Sequence, residues 1–371
     1  MGTVLVANGE LVKPESSRLD AVHREALSVN ADGRRLPRVS VVLPVHNAEP
    51  FLGATLASIS VQTLTDHEVV VVLNGCADAS EGIAREHAAC DPRVRLVELP
   101  RAGLVPALNC GLQEARAPIV ARMDADDLMA DTRLEQQVSA LETHPDWTVV
   151  ACGVRHASAE GLRSEGMERH VAWLNGLRTP EQIRAARFID APVAHPSVAY
   201  RVREVIGIGG YRDGDFPEDH DLWLRLLGRG LAIGKIPEVL VEWRDRPDRL
   251  TRADPRYREE AHRRLRHEHL KAGPLAKGRH CRIWGAGPFG RRHAKELRSL
   301  GVEIDDFIDI DPRKIGREVA GGLVVRGLES VGVPEGRMIL LCVGSPGARD
   351  QIIGVLQARG HVCERDYVAL Q

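Results

Sequence analysis

Residues 39–45, VSVVLPV, decide the fold, because a run of β-branched residues of this length is typical of a strand buried on both faces. The stretch PFLGATLASISVQT (50–63) follows with helical spacing and a proline in its first turn. EVVVVLN (68–74) and VRLVEL (94–99) repeat the strand pattern, and a helical pattern follows each of them. Strands that alternate with helices indicate parallel βαβ units, so the sequence predicts an α/β fold.

Bulk composition limits the possible functions. A chain of 371 residues is too long for one ordinary core and predicts at least two domains. No apolar run approaches the roughly 18 residues of a membrane span, and the N-terminus lacks the pattern of a signal peptide. The formal net charge of −2 argues against nucleic acid as a partner. Seven scattered cysteines without a CxxC pair favour a reduced, cytoplasmic location and argue against a thiolate metal site.

The stretch ARMDADDLMAD (121–131) crowds four carboxylates directly behind a predicted strand: Asp124, Asp126, Asp127 and Asp131. Ligands of open parallel sheets bind beyond the carboxyl ends of the strands, and crowded like charges there need a compensating cation. Alternation along an extended chain puts Asp124 and Asp126 on one side and turns Asp127 away. We therefore predict that Asp124 and Asp126 bind Mg²⁺ or Mn²⁺, with a solvated acidic turn as the alternative.

Two helix starts carry further acids. Thr132 and Glu135 form a T-x-x-E capping box, so we assign Asp131 to helix capping and not to the metal. The sequence EDHD (218–221) opens the predicted helix LWLRLLGRG, whose N-terminal dipole favours an ionised Asp219. The alternative is that these acids only cap the first turn of the helix.

In this order, VSVVLPVHNAEPFLGATLASISVQT, VVVVLNGCADAS, D-A-D-D and PEDHDLWLRL resemble the family 2 inverting glycosyltransferases with the GT-A fold. The resemblance covers about residues 38–250 and implies a GT-A type nucleotide-diphospho-sugar transferase sheet. It also implies metal-dependent transfer of a sugar from a nucleotide-sugar donor to a hydroxyl group of a glycan or lipid-linked acceptor, in surface polysaccharide or glycoconjugate biosynthesis. The Q-x-x-R-W signature of processive synthases is missing, which favours addition of a single sugar per binding event.

The resemblance also implies roles for individual residues. It places Pro44, Val45 and Asn47 in the nucleotide pocket, and it assigns Asp124 and Asp126 to the ribose and to the metal on the diphosphate. The catalytic base of the family corresponds to Asp219, beside Glu218. Many relatives have two acids where this chain has Leu73 and Asn74, and Asn74 can still bond the amide edge of a base.

The acceptor side is implied by AHPSVAYRVREVIGIGGY (194–211), which resembles the H-P-S-x-x-x-R strand of the family. His195 and Arg201 are then expected to face the acceptor or the phosphates, although a packed histidine remains open for His195. The family's further metal-ligating histidine is absent from VEWRDRPDRLTR. Arg244 and Arg246 either neutralise the diphosphate there or form a solvated basic loop.

A charged segment at 254–271 follows, which we interpret as a solvated helical connector. After it, a second alternation of strand and helix patterns begins. The sequence G-A-G-P-F-G (285–290) lies between a predicted strand and a helix, and Asp309 follows a second strand. This is the dinucleotide-binding fingerprint, with candidate nucleotide-binding residues Gly285, Gly287, Gly290 and Asp309. It predicts a small Rossmann-like α/β domain, for which nucleotide binding and a structural or oligomer-forming role both stay open.

We therefore predict an N-terminal extension (1–37), a GT-A glycosyltransferase domain (38–253), a helical connector and linker (254–278) and a Rossmann-like domain (279–371). Two other functions remain as alternatives. One is a nucleotide-sensing protein or oxidoreductase that acts through the C-terminal fingerprint. The other is a sugar-phosphate nucleotidyltransferase, which would need a glycine-rich loop where this chain has PVHNAEP. At most peripheral membrane contact is expected, and an oligomer is left open.

Overall fold

The computed structural model describes residues 36–158, 165–245, 249–345 and 347–371, so the predicted N-terminal extension lies almost wholly outside the described residues. Eight described strands build the first sheet: β1 (Val39–Val45), β2 (His67–Asn74), β3 (Val94–Leu99), β4 (Ile119–Arg122), β5 (Leu128–Met129), β6 (Trp147–Ser158), β7 (Val198–Arg201) and β8 (Ala232–Asp245). Their order is β3-β2-β1-β4-β7-β6-β8-β5. The strands from β3 to β4 are parallel, whereas β7 runs antiparallel to both β4 and β6. The predicted α/β fold is confirmed as a large mixed sheet.

Helices connect these strands: α1 (Glu49–Ser60), α2 (Ser80–Cys90), α3 (Leu104–Glu114), α4 (Arg133–Thr143), α5 (Glu165–Gly176), α6 (Pro180–Ala186), α7 (Val202–Gly207) and α8 (Glu218–Gly228). A short 3₁₀ turn, His195–Ser197, precedes β7. Throughout the described ranges, no helix combines the length and the apolar character that crossing a bilayer requires. The cytoplasmic location stays a prediction.

The central strand β1 is buried along its whole length, as its β-branched sequence predicts. Val41 and Leu43 pack with Leu52 of α1 on one face of the sheet. Val42 points to the other face and packs with Leu108 of α3. Each such leucine stabilises the fold by about 1.5–3 kcal/mol relative to an exposed one. Helices on both faces therefore fix the carboxyl ends of β1 and β4 at one edge of the sheet.

A second sheet follows, with strands β9 (Cys281–Trp284), β10 (Ile304–Ile308), β11 (Glu318–Val319), β12 (Leu323–Arg326), β13 (Met338–Leu341) and β14 (Tyr367–Ala369). Their order is β11-β12-β10-β9-β13-β14, and every pair except β11 with β12 is parallel. Helices α11 (Pro288–Ser299) and α12 (Ala348–Ala358) accompany it. The two sheets lie within the predicted domains, whose limits stay a prediction.

The segment between the sheets is not the solvated connector that its charges predict. It forms α9 (Leu250–Ala253), a 3₁₀ turn (Pro255–Tyr257) and α10 (Glu259–Ala272). Leu265 of α10 shares one apolar cluster with Leu224 of α8 and with strands β9 and β13. The aliphatic part of an arginine side chain can be buried while its guanidinium group pairs with an acid. Here Arg263 donates to Glu296 of α11 at 2.7 Å. The prediction was wrong because composition does not reveal such pairing.

The capping box predicted at the start of α4 is also wrong. Thr132 is the N-cap residue, but its side chain makes no capping hydrogen bond and accepts one from Gln136 at 3.0 Å. The carboxylate of Glu135 instead accepts from the hydroxyl of Thr63 at 2.7 Å. Asp131 is exposed, and its backbone carbonyl accepts from the amide of Thr63 at 2.8 Å. Glu135 thus bonds to Thr63, which is distant in sequence, and does not form the capping box. A local motif cannot show such a partner.

Candidate functional site

A cavity of about 510 Å³ opens where β4 ends. The acidic loop that follows β4 contributes Asp124 and Asp126 to its lining, and the first turn of α8 contributes Glu218 and Asp219. His195 lines the same cavity. Motifs that are about a hundred residues apart in the sequence therefore share one space, as the strand order predicts.

The acidic loop gathers three carboxylates and not two. Oxygen atoms of Asp124, Asp126 and Asp127 all lie within 4.8 Å of one another. As expected, Asp127 does not line the cavity, but its carboxylate stays close to the other two, because the chain leaves the extended conformation at 125–126 and the amide of Asp127 donates back to the carbonyl of Asp124 at 3.4 Å. Strict alternation of side chains applies to strands and fails in this turn.

Asp127 is fully buried and incompletely satisfied. Its Oδ1 accepts from the amide of Arg244 at 2.8 Å, while its Oδ2 has no hydrogen-bond partner. Burial and the charges of Asp124 and Asp126 raise the pKa of Asp127 well above its usual value. Clustered carboxylate oxygens with one buried oxygen unsatisfied fit a hard divalent cation, so these residues suit Mg²⁺ or Mn²⁺.

Arg244, expected on the acceptor or phosphate side, instead braces the acidic loop. Its Nε donates to the carbonyl of Asp126, and its Nη2 lies 3.2 Å from the hydroxyl of Thr55. That hydroxyl lies 2.8 Å from the carbonyl of Asp127. The guanidinium also lies over the ring of Phe51, 5.3 Å from its centroid. Arg246, its expected companion, lies outside the described residues.

The first turn of α8 holds the predicted base. The pKa of Asp219 rises to about 7, chiefly through burial and then through the charge of Glu218. We expected the helix N-terminus to favour the ionised form, but burial outweighs it. Glu218 is buried as well and accepts a hydrogen bond from the hydroxyl of Tyr257 at 2.7 Å. Asp219 is therefore ready to take a proton near neutral pH.

His195 and Arg201, paired in the sequence interpretation, separate in the structure. His195 lies within 2.9 Å of the Tyr211 hydroxyl, and burial lowers its pKa well below the usual value, so the ring is neutral. Arg201 donates to the backbone carbonyls of Leu141 and Trp147, at 2.6 and 2.9 Å. Arg201 thus holds the end of α4 against β6, and its expected place beside the acceptor or phosphates is wrong.

Besides Asp124, four residues are predicted to bind the nucleotide, and of these Pro44 lines the cavity. Val45 is buried in the core. Asn47, with a φ of +49°, accepts from the amide of Ala77 at 2.8 Å, and Asn74 accepts from the amide of Gly103 at 2.9 Å. These two side chains join the loops behind the first three strands. Their contact with a nucleotide stays a prediction.

Several cavity residues were not found from the sequence. Arg122, buried at the end of β4, lies 2.5 Å from Asp124, and a charge inside an apolar strand is a signal that could have revealed it. Arg249 lines the cavity and lies over the ring of Trp243, at 4.6 Å from its centroid. Tyr257 belongs to the segment predicted to be a solvated connector, and no local sequence pattern indicates that this tyrosine lines the cavity.

The glycine turn of the second sheet has a different character. Gly285 adopts a φ of +115°, and a side chain at Gly290 would place its Cβ 1.8 Å from the carbonyl oxygen of Gly285. Gly287 has an ordinary φ of −79°. The carboxylate of Asp309 accepts from the amides of Ala286 and Asp311 and from the ammonium of Lys314, each at 2.9 Å.

Comparison with known proteins agrees with the geometry of the first sheet. A sequence model described as Glycosyl transferase family 2 matches residues 40–207. The amylovoran biosynthesis glycosyltransferase AmsE of Erwinia amylovora is 32% identical over 208 residues, which are 55% of this chain and 75% of AmsE. The chain belongs to glycosyltransferase family 2. It is accordingly an enzyme of the glycosyltransferase class, as the sequence predicts.

Two further proteins resemble the chain, one in sequence and one in fold. The O-antigen biosynthesis glycosyltransferase WbnJ of Escherichia coli is 27% identical over 217 residues, which are 57% of this chain and 81% of WbnJ. A crystal structure of S. aureus TarS, residues 1–349, covers 70% of each chain with a TM-score of 0.50 at 16% identity. That likeness concerns the fold alone.

Proposed function

We propose that this glycosyltransferase is metal-dependent, inverting and non-processive, and that it moves a sugar from a nucleotide-diphosphate donor to a hydroxyl group of a glycan or lipid-linked acceptor. The observation that carries the proposal is the single cavity that Asp124, Asp126 and Asp219 all line. In-line displacement of a diphosphate needs a cation site for the leaving group and a base for the acceptor. The relatives AmsE and WbnJ support a role in surface polysaccharide or glycoconjugate assembly.

On the donor side, Asp124 and Asp126, with Asp127 in the same loop, would hold Mg²⁺ or Mn²⁺. When bound, such a cation would stabilise the negative charge that grows on the departing diphosphate. Arg122 and Arg249 also line the cavity and add fixed positive charge. Neutralisation of the diphosphate, one of the two roles that the sequence left open for Arg244 and Arg246, then falls to Arg122 and Arg249.

On the acceptor side, Asp219 accepts the proton of the attacking hydroxyl group. The acceptor oxygen then forms a bond to the anomeric carbon as the bond from that carbon to the diphosphate oxygen breaks, and the electron pair leaves with the nucleoside diphosphate. Attack opposite the leaving group inverts the anomeric configuration. A pKa of about 7 suits Asp219 to this task. Glu218 acts as a positioning residue, because its charge raises that pKa while Tyr257 fixes its place.

We propose that the second domain, residues 279–371, serves the fold and does not bind a dinucleotide. The Ala286 amide of the glycine turn already donates to Asp309, and Asp309 is also engaged by Lys314. Pro288, at the start of α11, has no amide hydrogen to offer a phosphate. The turn therefore does not fit the group that its sequence suggests. This argues against the oxidoreductase or nucleotide-sensing alternative.

A panel of nucleotide sugars tests the proposed function. The full chain is incubated with each donor and Mn²⁺, and the released nucleoside diphosphate is measured. We expect hydrolysis of a particular donor that stops on chelation and returns with Mn²⁺. Asp131→Asn is the matched control, because this exposed acid belongs to the same run of sequence and should leave hydrolysis unchanged. Hydrolysis that survives chelation would contradict the metal dependence.

A further inference from the structure

A second group of potential metal ligands lies at the same cavity, apart from the acidic loop. It consists of Asp190, in the segment after α6, His220 of α8 and His262 of α10. One donor atom from each residue lies within 4.8 Å of those of the other two. Three elements that are distant in sequence therefore bring two imidazoles and a carboxylate together.

The donor atoms lie at separations close to those of ligands around one metal ion. The Nδ1 atoms of His220 and His262 are 3.4 Å apart, and Nδ1 of His262 is 3.8 Å from Oδ1 of Asp190. Ligands at about 2.0–2.1 Å from a tetrahedral Zn²⁺ lie about 3.3 Å from each other. The buried pair His267 and His293 shows the contrast, since their ring nitrogens make a direct hydrogen bond at 2.7 Å.

His220 is already oriented as a metal ligand. Its Nε2 lies 2.8 Å from the carbonyl of Arg187, so Nε2 carries the proton and donates it. The opposite nitrogen, Nδ1, then presents a lone pair toward His262. A backbone carbonyl that fixes the tautomer in this way is the usual support of a ligating histidine.

We propose that Asp190, His220 and His262 form a binding site for Zn²⁺ or a similar late first-row divalent ion. Two imidazoles with one carboxylate favour such ions over Mg²⁺, whereas the all-oxygen acidic loop favours Mg²⁺ or Mn²⁺. Three protein ligands would leave a coordination position open, and two of the three, Asp190 and His262, line the cavity. Nδ1 of His170 lies 3.8 Å from the second oxygen of Asp190.

The ion would fasten α10 to α8, the helix that begins with Glu218 and Asp219. Tyr257, just before α10, bonds to Glu218, so the ion and this hydrogen bond secure the same segment against the cavity. The site goes beyond the proposed function, since binding of the ion requires neither a sugar donor nor an acceptor.

The test is metal binding by the full chain after chelator treatment and dialysis. Bound Zn²⁺ is counted by elemental analysis, and Co²⁺ is titrated while its visible absorption is followed. We expect one tight Zn²⁺ site and an intense Co²⁺ spectrum of low coordination number. Loss of an outer-shell partner alone costs roughly 10–100-fold in affinity, so His262→Gln and Asp190→Asn should each cost at least that much.

Two control variants make the result decisive. Asp126→Asn should keep the Zn²⁺ site, because it alters the acidic loop alone. His280→Gln removes an exposed histidine that pairs with Asp305 at 2.8 Å, and should also keep the site. Thermal unfolding first establishes that wild type and His262→Gln are both folded. Equal Zn²⁺ affinity of the two proteins would then overturn the proposal. So would loss of tight Zn²⁺ binding in Asp126→Asn, whereas a failure of the proposed function alone would leave the Zn²⁺ result intact.

Discussion

The acidic loop after β4 and the glycine turn after β9 occupy equivalent places, each at the carboxyl end of a central parallel strand. In the acidic loop, a buried oxygen of Asp127 has no hydrogen-bond partner, and the loop borders a cavity. In the glycine turn, the carboxylate of Asp309 accepts three hydrogen bonds, from Ala286, Asp311 and Lys314. A buried polar group left unsatisfied destabilises a protein unless a ligand satisfies it. On this difference we base the proposal of a ligand site at the acidic loop and of a structural role for the glycine turn, which sequence motifs alone do not separate.

The largest effect is expected for Asp219→Asn, which removes the proposed base and keeps its size. General base catalysis contributes about 10²–10⁴-fold, so transfer to the acceptor should fall by that factor. Binding of donor and Mn²⁺ should persist, because the acidic loop is unaltered. Single-turnover transfer and donor titration measure the two separately. Normal transfer by this variant would remove Asp219 from the catalytic role.

The pH dependence of transfer sharpens the same assignment. Asp219 must be ionised to accept a proton, and its pKa is raised to about 7. The rate should therefore fall about tenfold per pH unit below that value and level off above it. The free energy of unfolding changes in the opposite direction as the pH rises. Burial penalises the ionised form, so the stability contributed by protonated Asp219 is complete below the unfolded pKa and is lost as pH rises through about 7.

Asp219→Asn is the control for both curves. Its free energy of unfolding should match that of the wild type near pH 4 and exceed it above pH 7, because the asparagine carries no charge to bury. A wild-type rate that does not change between pH 5 and 8 would argue that another group takes the proton.

The smallest effect is expected in the glycine turn. Asp309→Asn removes acceptors from Ala286 and Lys314 and should lower the free energy of unfolding by about 1–3 kcal/mol. It should leave donor hydrolysis unchanged. Addition of NAD(H) should not raise the melting temperature of the wild type. A rise that Asp309→Asn abolishes would show that the turn binds a dinucleotide after all.

The sequence predicted those parts of the molecule that local patterns determine. The stretches 39–45 and 68–74 became β1 and β2 to within one residue, because their β-branched residues are buried by helices on both faces. The D-A-D-D loop and the start of α8 both border the cavity at the carboxyl end of β4, the edge of the sheet where the sequence predicted a ligand. Each of these motifs is contiguous in sequence, so periodicity and spacing can reveal it.

What the sequence did not predict depends on contacts between distant segments. Tyr257 and His262 reach the cavity because α10 packs against α8, and charge composition gave that segment the opposite interpretation. Arg201 and Arg244 were placed by the family resemblance of their segments, but backbone carbonyls bind their guanidinium groups. The closeness of the Asp127 carboxylate to Asp124 and Asp126 was not predicted, because a turn replaces the strand there. Tertiary packing decides all of these positions.

The most direct test of the central claim is a calorimetric titration of Mn²⁺ in the presence of the nucleoside diphosphate of the preferred donor. Wild type, Asp126→Ala and Asp131→Asn are compared. The acidic loop predicts strong binding by the wild type and Asp131→Asn, and binding weakened by at least about tenfold in Asp126→Ala. Equal Mn²⁺ affinity in all three proteins would contradict the account, since the acids after β4 would then hold no cation.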